Sequence, residues 1–197
     1  IAFTEDKLLT RVEEGRFDQM FFGTAHEVAH QWWGGQARAA VVVGGGVVSE
    51  SLANYSAMMV TERTFGPEAV RQVYDFQMDR YLTQRAERGR DAPLLESTDQ
   101  PWIYYGKGAV ALYLLRDHIG EEAVNTALRR YFERVSTRRA ITAPEEFMAV
   151  GQFYRDFQQV EDEVLDVDIG VGAGWDDQEQ RFASLLLIGD ATLENLV

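Results

Sequence analysis

One segment near the start of the chain restricts the fold most strongly, because it is apolar on nearly every side of a predicted helix. Asp18 is a suitable N-cap, and "QMFFGTAHEVAHQWW" follows it until Gly34 and Gly35 end the pattern. A helix that is apolar all round is typical of a buried element. The segment also contains two of the three histidines in the chain and a glutamate. Burial of these polar groups costs free energy unless they have partners.

The spacing of the polar residues in this segment indicates a metal site. His26 and His30 stand four apart, and an α-helix turns about 100° per residue, so both imidazoles share one face. Glu27 points away from that face, so it is not predicted to be a ligand. Its carboxylate could still reach a water held by the ion and act as a general base. Glu50 opens the next predicted helix and supplies a third ligand. Two histidines, one glutamate and a water form an open catalytic zinc arrangement.

The same pattern has an ordinary alternative, in which the two histidines make hydrogen bonds within a helix and bind no ion. An isolated HExxH match does not decide between these readings. The chain contains no cysteine, which excludes disulfides and thiolate ligands, so any metal must be held by His, Asp or Glu. Of the two readings, a metal site with the donors His26, His30 and Glu50 is favoured, because two histidines and a glutamate in an otherwise apolar helix are costly without partners.

The rest of the chain is predicted to be mainly helical. The segment "AAVVVGGGVV" favours a strand or an extended loop, because β-branched residues and glycines both disfavour helix. Ser49 is predicted to cap the next helix, which ends at Gly66, and Pro67 to occupy the first position of the helix after it. The predicted helices cover roughly 19–33, 50–65, 67–88, 107–118, 121–135 and 144–159.

Charge and hydropathy exclude several partners. The net charge is −13, with 19 basic residues against 32 acidic ones. We expect no nucleic acid partner, because recognition of nucleic acid needs a basic face. We also expect no membrane span, because no segment reaches the roughly 18 to 20 apolar residues that a helix needs to cross a bilayer. Residues 161–197 begin with a strongly acidic stretch and are predicted to be a tail or the start of a following segment.

Two stretches together resemble a known family. "HEVAHQWWGG" followed by "SESLANYSAMM" is similar to the gluzincin metallopeptidases of the aminopeptidase N type. In that family the first helix reads HExxHxWxG, and a second helix carries a ligand glutamate followed by a small residue and a tyrosine. The resemblance assigns His26 and His30 as zinc ligands, Glu27 as the general base and Glu50 as the third ligand. The connector before Glu50 is one residue longer than the family usually has.

A third stretch, "YYGKGAVALYLL", resembles the Y-x-K-G motif of the same family. The resemblance implies that Tyr105 stabilises the oxyanion of the transition state. The neighbouring Tyr104 is the alternative, since either phenol could face the site. The family feature that binds the free amine of the substrate, an upstream G-x-M-E-N segment, does not occur in this chain.

The resemblance implies a fold, an activity and a context. The fold is the helical part of a thermolysin-like zincin catalytic domain, which we expect to occupy residues 1–160. The activity is zinc-dependent hydrolysis of peptide or protein substrates, with an aminopeptidase expected first. The alternatives are an endopeptidase with the same zinc chemistry and a non-catalytic helical module that keeps the fold for protein interaction. We expect this chain to be a fragment of a parent chain that has further domains. The resemblance is to a bacterial branch of the family, in which the catalytic domain is often fused to membrane segments.

Overall fold

The computed structural model describes residues 15–37, 44–88, 92–94, 97 and 99–136, and these residues are mainly helical. Within those ranges the only β-structure consists of two isolated bridges, from Trp33 to Ala37 and from Ala37 to Ser136. The predicted mainly α fold is therefore confirmed. The α-helices are α1 (Gln19–Ala29), α2 (Leu52–Phe65), α3 (Pro67–Arg88), α4 (Gly108–Ile119) and α5 (Glu121–Val135). One π-helical turn precedes α2 (Val47–Ser51) and another precedes α4 (Ile103–Lys107).

Helix α2 is the central element, because α1, α3 and α4 all pack against it. The first two helices run antiparallel. Phe21 near the start of α1 contacts Phe65 at the end of α2, with ring centroids 4.8 Å apart. At the other end, His30 lies against Glu50, just before α2 begins. This arrangement brings the end of one helix and the start of the next to a common place.

Two apolar clusters share α2. Its first turns bury Leu52 and Tyr55 in a cluster with α4 and α5, while Met58 belongs to a second cluster with α1 and α3. Full burial of one such side chain stabilises the fold by about 1.5–3 kcal/mol. The helix predicted at 121–135 is confirmed as α5, and its buried residues are Ala123, Val124, Ala127, Leu128, Tyr131 and Val135. Both clusters hold α2 in place, and with it the turn that carries Glu50.

Several helix ends lie where the sequence predicts them. Asp18 caps α1, since its carboxylate accepts a hydrogen bond of 2.9 Å from the backbone N–H of Phe21. Gly66 ends α2 and Gly120 ends α4, with φ angles of +88° and +91° that L side chains rarely adopt. Pro67 occupies the first position of α3, as predicted.

The predicted extent of α1 is wrong at its C-terminus. The helix ends at Ala29, four residues before Trp33, and the chain then turns through Gly34, whose φ is +86°. A Cβ on Gly35 would lie 2.4 Å from the carbonyl oxygen of His30, so this close turn requires glycine. Glycine thus sets the shape of the turn rather than the last residue of the helix.

The prediction that α1 is buried on all sides is also wrong for the residues that the structure describes. Val28 is 42% exposed, and Trp32, just beyond the helix, is 47% exposed. The reason is that α2 is the main described neighbour of α1, and it covers only the face that carries Phe22, His26 and Ala29. The apolar residues on every side of α1 therefore predict more burial than the helix has in the structure.

Two predictions around the second helix are corrected. Val47 and Val48 lie in a π-helical turn rather than in a strand or extended loop, and both are buried. Ser49 is not an N-cap, because the turn has already begun at Val47. Packing of the two valines into the core outweighs their weak helical propensity.

The predicted helix at 144–159 and the acidic segment 161–197 lie outside the described residues, as does the predicted boundary after residue 160. Among the described helices, none combines the length and the apolar character that crossing a bilayer requires.

Candidate metal centre and active site

Three side chains from two helical elements converge at the meeting point of α1 and α2. His26 lies in the last turn of α1, His30 caps its end, and Glu50 lies in the π-helical turn before α2. Each of the three offers a donor atom, and these atoms lie within 4.8 Å of one another. In the described part of the chain, no other group of three His, Asp or Glu residues meets this criterion.

The distances within the cluster match those of ligands around one small cation. The two Nε2 atoms of His26 and His30 are 3.0 Å apart, and Oε2 of Glu50 lies 3.3 and 3.4 Å from them. Ligand atoms at about 2.0–2.1 Å from a tetrahedral zinc are separated from each other by roughly 3.3–3.4 Å. The triangle of donor atoms is therefore close to the size that zinc requires.

The ring of His30 is oriented for metal binding by a backbone contact. Its Nδ1 donates a hydrogen bond of 3.0 Å to the carbonyl oxygen of Trp33, in the turn that follows α1. Because a carbonyl oxygen can only accept, this contact places the proton on Nδ1 and leaves the Nε2 lone pair directed at the cluster. The turn that ends the helix early is what supplies this carbonyl.

Two atoms of the cluster are buried with no conventional hydrogen bond among the described residues. They are Oε2 of Glu50, which points between the two histidines, and Nδ1 of His26. A buried polar atom without a partner costs about 1–3 kcal/mol, and more if it is charged. A divalent cation at the centre of the triangle would compensate the carboxylate oxygen.

The electrostatic environment favours the ionised form of Glu50. Burial alone raises the pKa of this carboxyl, but its contacts with His26 and Tyr105 and the nearby His30 outweigh burial, so the net pKa is lowered. A carboxylate must be deprotonated to bind a metal ion. Glu50 therefore has the protonation state of a ligand at neutral pH.

Tyr105, rather than its neighbour, contacts the cluster. Its ring centroid lies 6.0 Å from that of His26, and its hydroxyl hydrogen-bonds with Glu50. Burial and this hydrogen bond raise the pKa of Tyr105, so the hydroxyl remains protonated and able to donate. Tyr104 instead places its ring against Gly46. Glu27 is half-buried in α1, outside the three-atom cluster but close enough for its charge to act on Tyr105.

The backbone of the site has an unusual conformation that the sequence does not predict. Glu50 and Tyr105 both lie in π-helical turns, each leading directly into an α-helix. Such turns are rare in proteins as a whole, and those that do occur are often found at functional sites. The only sequence signal for the second turn is the pair Gly106 and Gly108 in "YYGKG", since two glycines that open an apolar helix suggest a close approach of backbone.

Comparison with known families agrees with this geometry. A model of the peptidase family M1 domain matches residues 3–152, most of the chain, and the chain belongs to this family. Its members are metallopeptidases that hydrolyse peptide bonds and are typically zinc-dependent. The resemblance to aminopeptidase N-type gluzincins is thereby confirmed. Comparisons with curated proteins and with solved structures gave no significant match.

Proposed function

We propose that this chain binds one zinc ion through His26, His30 and Glu50 and uses it to hydrolyse peptide bonds as an aminopeptidase. The observation that carries the proposal is the triangle of donor atoms, with sides of 3.0, 3.3 and 3.4 Å. The burial of Oε2 of Glu50 at one corner of this triangle is consistent with the proposal, because this oxygen faces the two imidazoles and makes no conventional hydrogen bond among the described residues.

The donor set fits zinc better than the hard cations. Imidazole nitrogens favour zinc and related transition metals, whereas calcium and magnesium favour oxygen ligands. Three protein ligands leave one position open, as catalytic zinc sites require. When bound, zinc lowers the pKa of its water to about 7 and polarises the substrate carbonyl.

Glu27 acts as the general base and acid in this proposal. It follows His26 directly on α1, so its carboxylate lies beside the ligand set without joining it. The carboxylate accepts a proton from the attacking water and then delivers it to the leaving amine. General acid–base catalysis of this kind contributes about 10²–10⁴-fold to the rate.

Tyr105 donates a hydrogen bond to the carbonyl oxygen of the substrate as negative charge develops there. Its raised pKa keeps the proton on the phenol at neutral pH, which is the state that a donor needs. Loss of one such donor typically costs about 10²–10³-fold in kcat.

The aminopeptidase assignment makes a prediction about the substrate's amino terminus. With zinc present, an aminopeptidase should cleave a peptide amide with a free amine at least about 10-fold faster than its N-acetylated counterpart, because it discriminates between the two substrates by differential binding of the amino terminus. Since the G-x-M-E-N segment of the family does not occur in this chain, that preference would have to come from other groups near the site. Product analysis by mass spectrometry measures both rates and locates the cleaved bond.

Two controls accompany this comparison. Glu27→Gln protein gives the background rate, and Glu133→Gln, which changes an exposed glutamate on α5, should behave like the native chain. Equal cleavage of the blocked peptide at internal bonds would indicate the endopeptidase instead. Cleavage of neither peptide by zinc-loaded protein would favour the non-catalytic module.

A further inference from the structure

A second group of contacts fixes the position of Tyr105 relative to Glu50. Nδ2 of Asn54 donates a hydrogen bond of 2.7 Å to the backbone carbonyl of Tyr105. The hydroxyl of Ser51 donates one of 2.6 Å to the backbone carbonyl of Tyr104. Both donors belong to the short stretch that follows Glu50, and both acceptor carbonyls lie in the second π-helical turn. We call these two bonds the carbonyl clamp.

Burial makes the carbonyl clamp difficult to replace by water. Asn54 is 3% exposed and Ser51 is fully buried. A buried amide or hydroxyl that loses its partner costs free energy, because solvent cannot satisfy it. Both donors are therefore held to the carbonyls of Tyr104 and Tyr105, rather than alternating between protein and solvent.

Glycines allow the two π-helical turns to approach this closely. A Cβ on Gly108 would lie 2.1 Å from the hydroxyl oxygen of Ser51, and a Cβ on Gly46 would lie 2.7 Å from the ring of Tyr104. Real Cβ atoms essentially never make contacts of either length. The two turns therefore contact each other closely at Gly46 and at Gly108, which restricts sliding of one turn against the other.

We propose that Asn54 and Ser51 are positioning residues that act through Tyr105, an inference that rests on the proposed function above. One stretch of chain both presents Glu50 and holds the backbone of Tyr105, so the metal ligand and the oxyanion donor are fixed as a unit. Without the clamp, the phenol of Tyr105 loses its fixed distance from the triangle of donor atoms. A misplacement of about 1 Å in such a site can cost about 10²-fold in rate.

A double-mutant cycle tests this coupling. We expect Asn54→Ala to lower kcat at least about 10-fold with little change in KM, because the lost interaction acts only in the transition state. In a Tyr105→Phe background, the same substitution should change kcat less than about 2-fold, since the hydroxyl that it positions is already absent. An equal loss in both backgrounds would overturn the proposal, because it would show a general effect on the fold.

Two further variants serve as a control and as a substitute in the double-mutant cycle. Ser56→Ala on the same helix removes a hydroxyl that accepts a 3.0 Å hydrogen bond from the indole of Trp33, away from the clamp, and should have additive effects in both backgrounds. Ser51→Ala removes the other clamp bond and enters the same cycle if Asn54→Ala does not fold. Additive behaviour of Ser51→Ala would count against the proposal in the same way.

A readout without turnover separates this inference from the proposed function. In the native chain and in Ser56→Ala, we expect nuclear Overhauser contacts between the rings of Tyr105 and His26, whose centroids are 6.0 Å apart. Asn54→Ala should lose these contacts while keeping its helical circular dichroism. Retained contacts in Asn54→Ala would overturn the positioning role. A native chain that shows the contacts but no hydrolysis would reject only the proposed function.

Discussion

Replacing Glu27 by glutamine should reduce kcat for peptide hydrolysis by at least about 10³-fold while leaving zinc bound. The substitution keeps the size of the side chain but removes the group that accepts and returns the proton. General acid–base catalysis is worth up to about 10⁴-fold, and Glu27 performs both transfers in the proposed mechanism. The side chain lies outside the triangle of donor atoms, so metal affinity should change little.

The measurement pairs initial rates on a free-amine peptide with zinc content of the same sample. Glu133→Gln provides the matched control, because it makes the same chemical change at an exposed position on α5. Zinc-loaded Glu27→Gln protein with near-native activity would reject Glu27 as the base. Loss of zinc together with activity would instead assign Glu27 to metal binding.

Zinc should strongly stabilise the native chain and should hardly stabilise Glu50→Gln. A ligand that binds only the folded state at about 1,000 times its Kd adds about 4 kcal/mol to the free energy of unfolding. For a chain of this size, each kcal/mol raises Tm by about 2–4 °C, which gives a rise of about 8–16 °C. In Glu50→Gln, an amide replaces the charged ligand, so most of this rise should disappear.

Thermal unfolding followed by circular dichroism, with and without excess zinc, measures this difference. Calcium serves as the control ion, because the imidazole donors disfavour it and its effect should be small. Glu133→Gln should keep the full zinc response. An equal zinc response in the native chain and in Glu50→Gln would show that the ion binds elsewhere.

The chemistry of the site could be predicted from sequence because it depends on local spacing. His26 and His30 share a helix face through the period of the α-helix alone, and Glu50 follows after a connector short enough to bring the next helix back. The termination of α2 at Gly66 and the start of α3 at Pro67 were predictable for the same reason, since both depend on the conformational limits of a single residue.

The remaining features depend on tertiary contacts, which no local pattern contains. Val47 and Val48 have weak helical propensity, yet they lie in a helical turn, because their packing in the core outweighs that propensity. The hydrogen bond from Asn54 to Tyr105 joins residues 51 positions apart, so only the folded chain brings these two together.

The most direct test of the zinc site is the metal content of the purified chain after zinc loading and exhaustive dialysis. Elemental analysis should find about one zinc per native chain and far less than one in Glu50→Gln, because three ligands complete a tetrahedral site with water and two do not. A native chain without zinc, or a Glu50→Gln chain that retains as much zinc as the native one, would contradict the assignment of His26, His30 and Glu50 to a single ion.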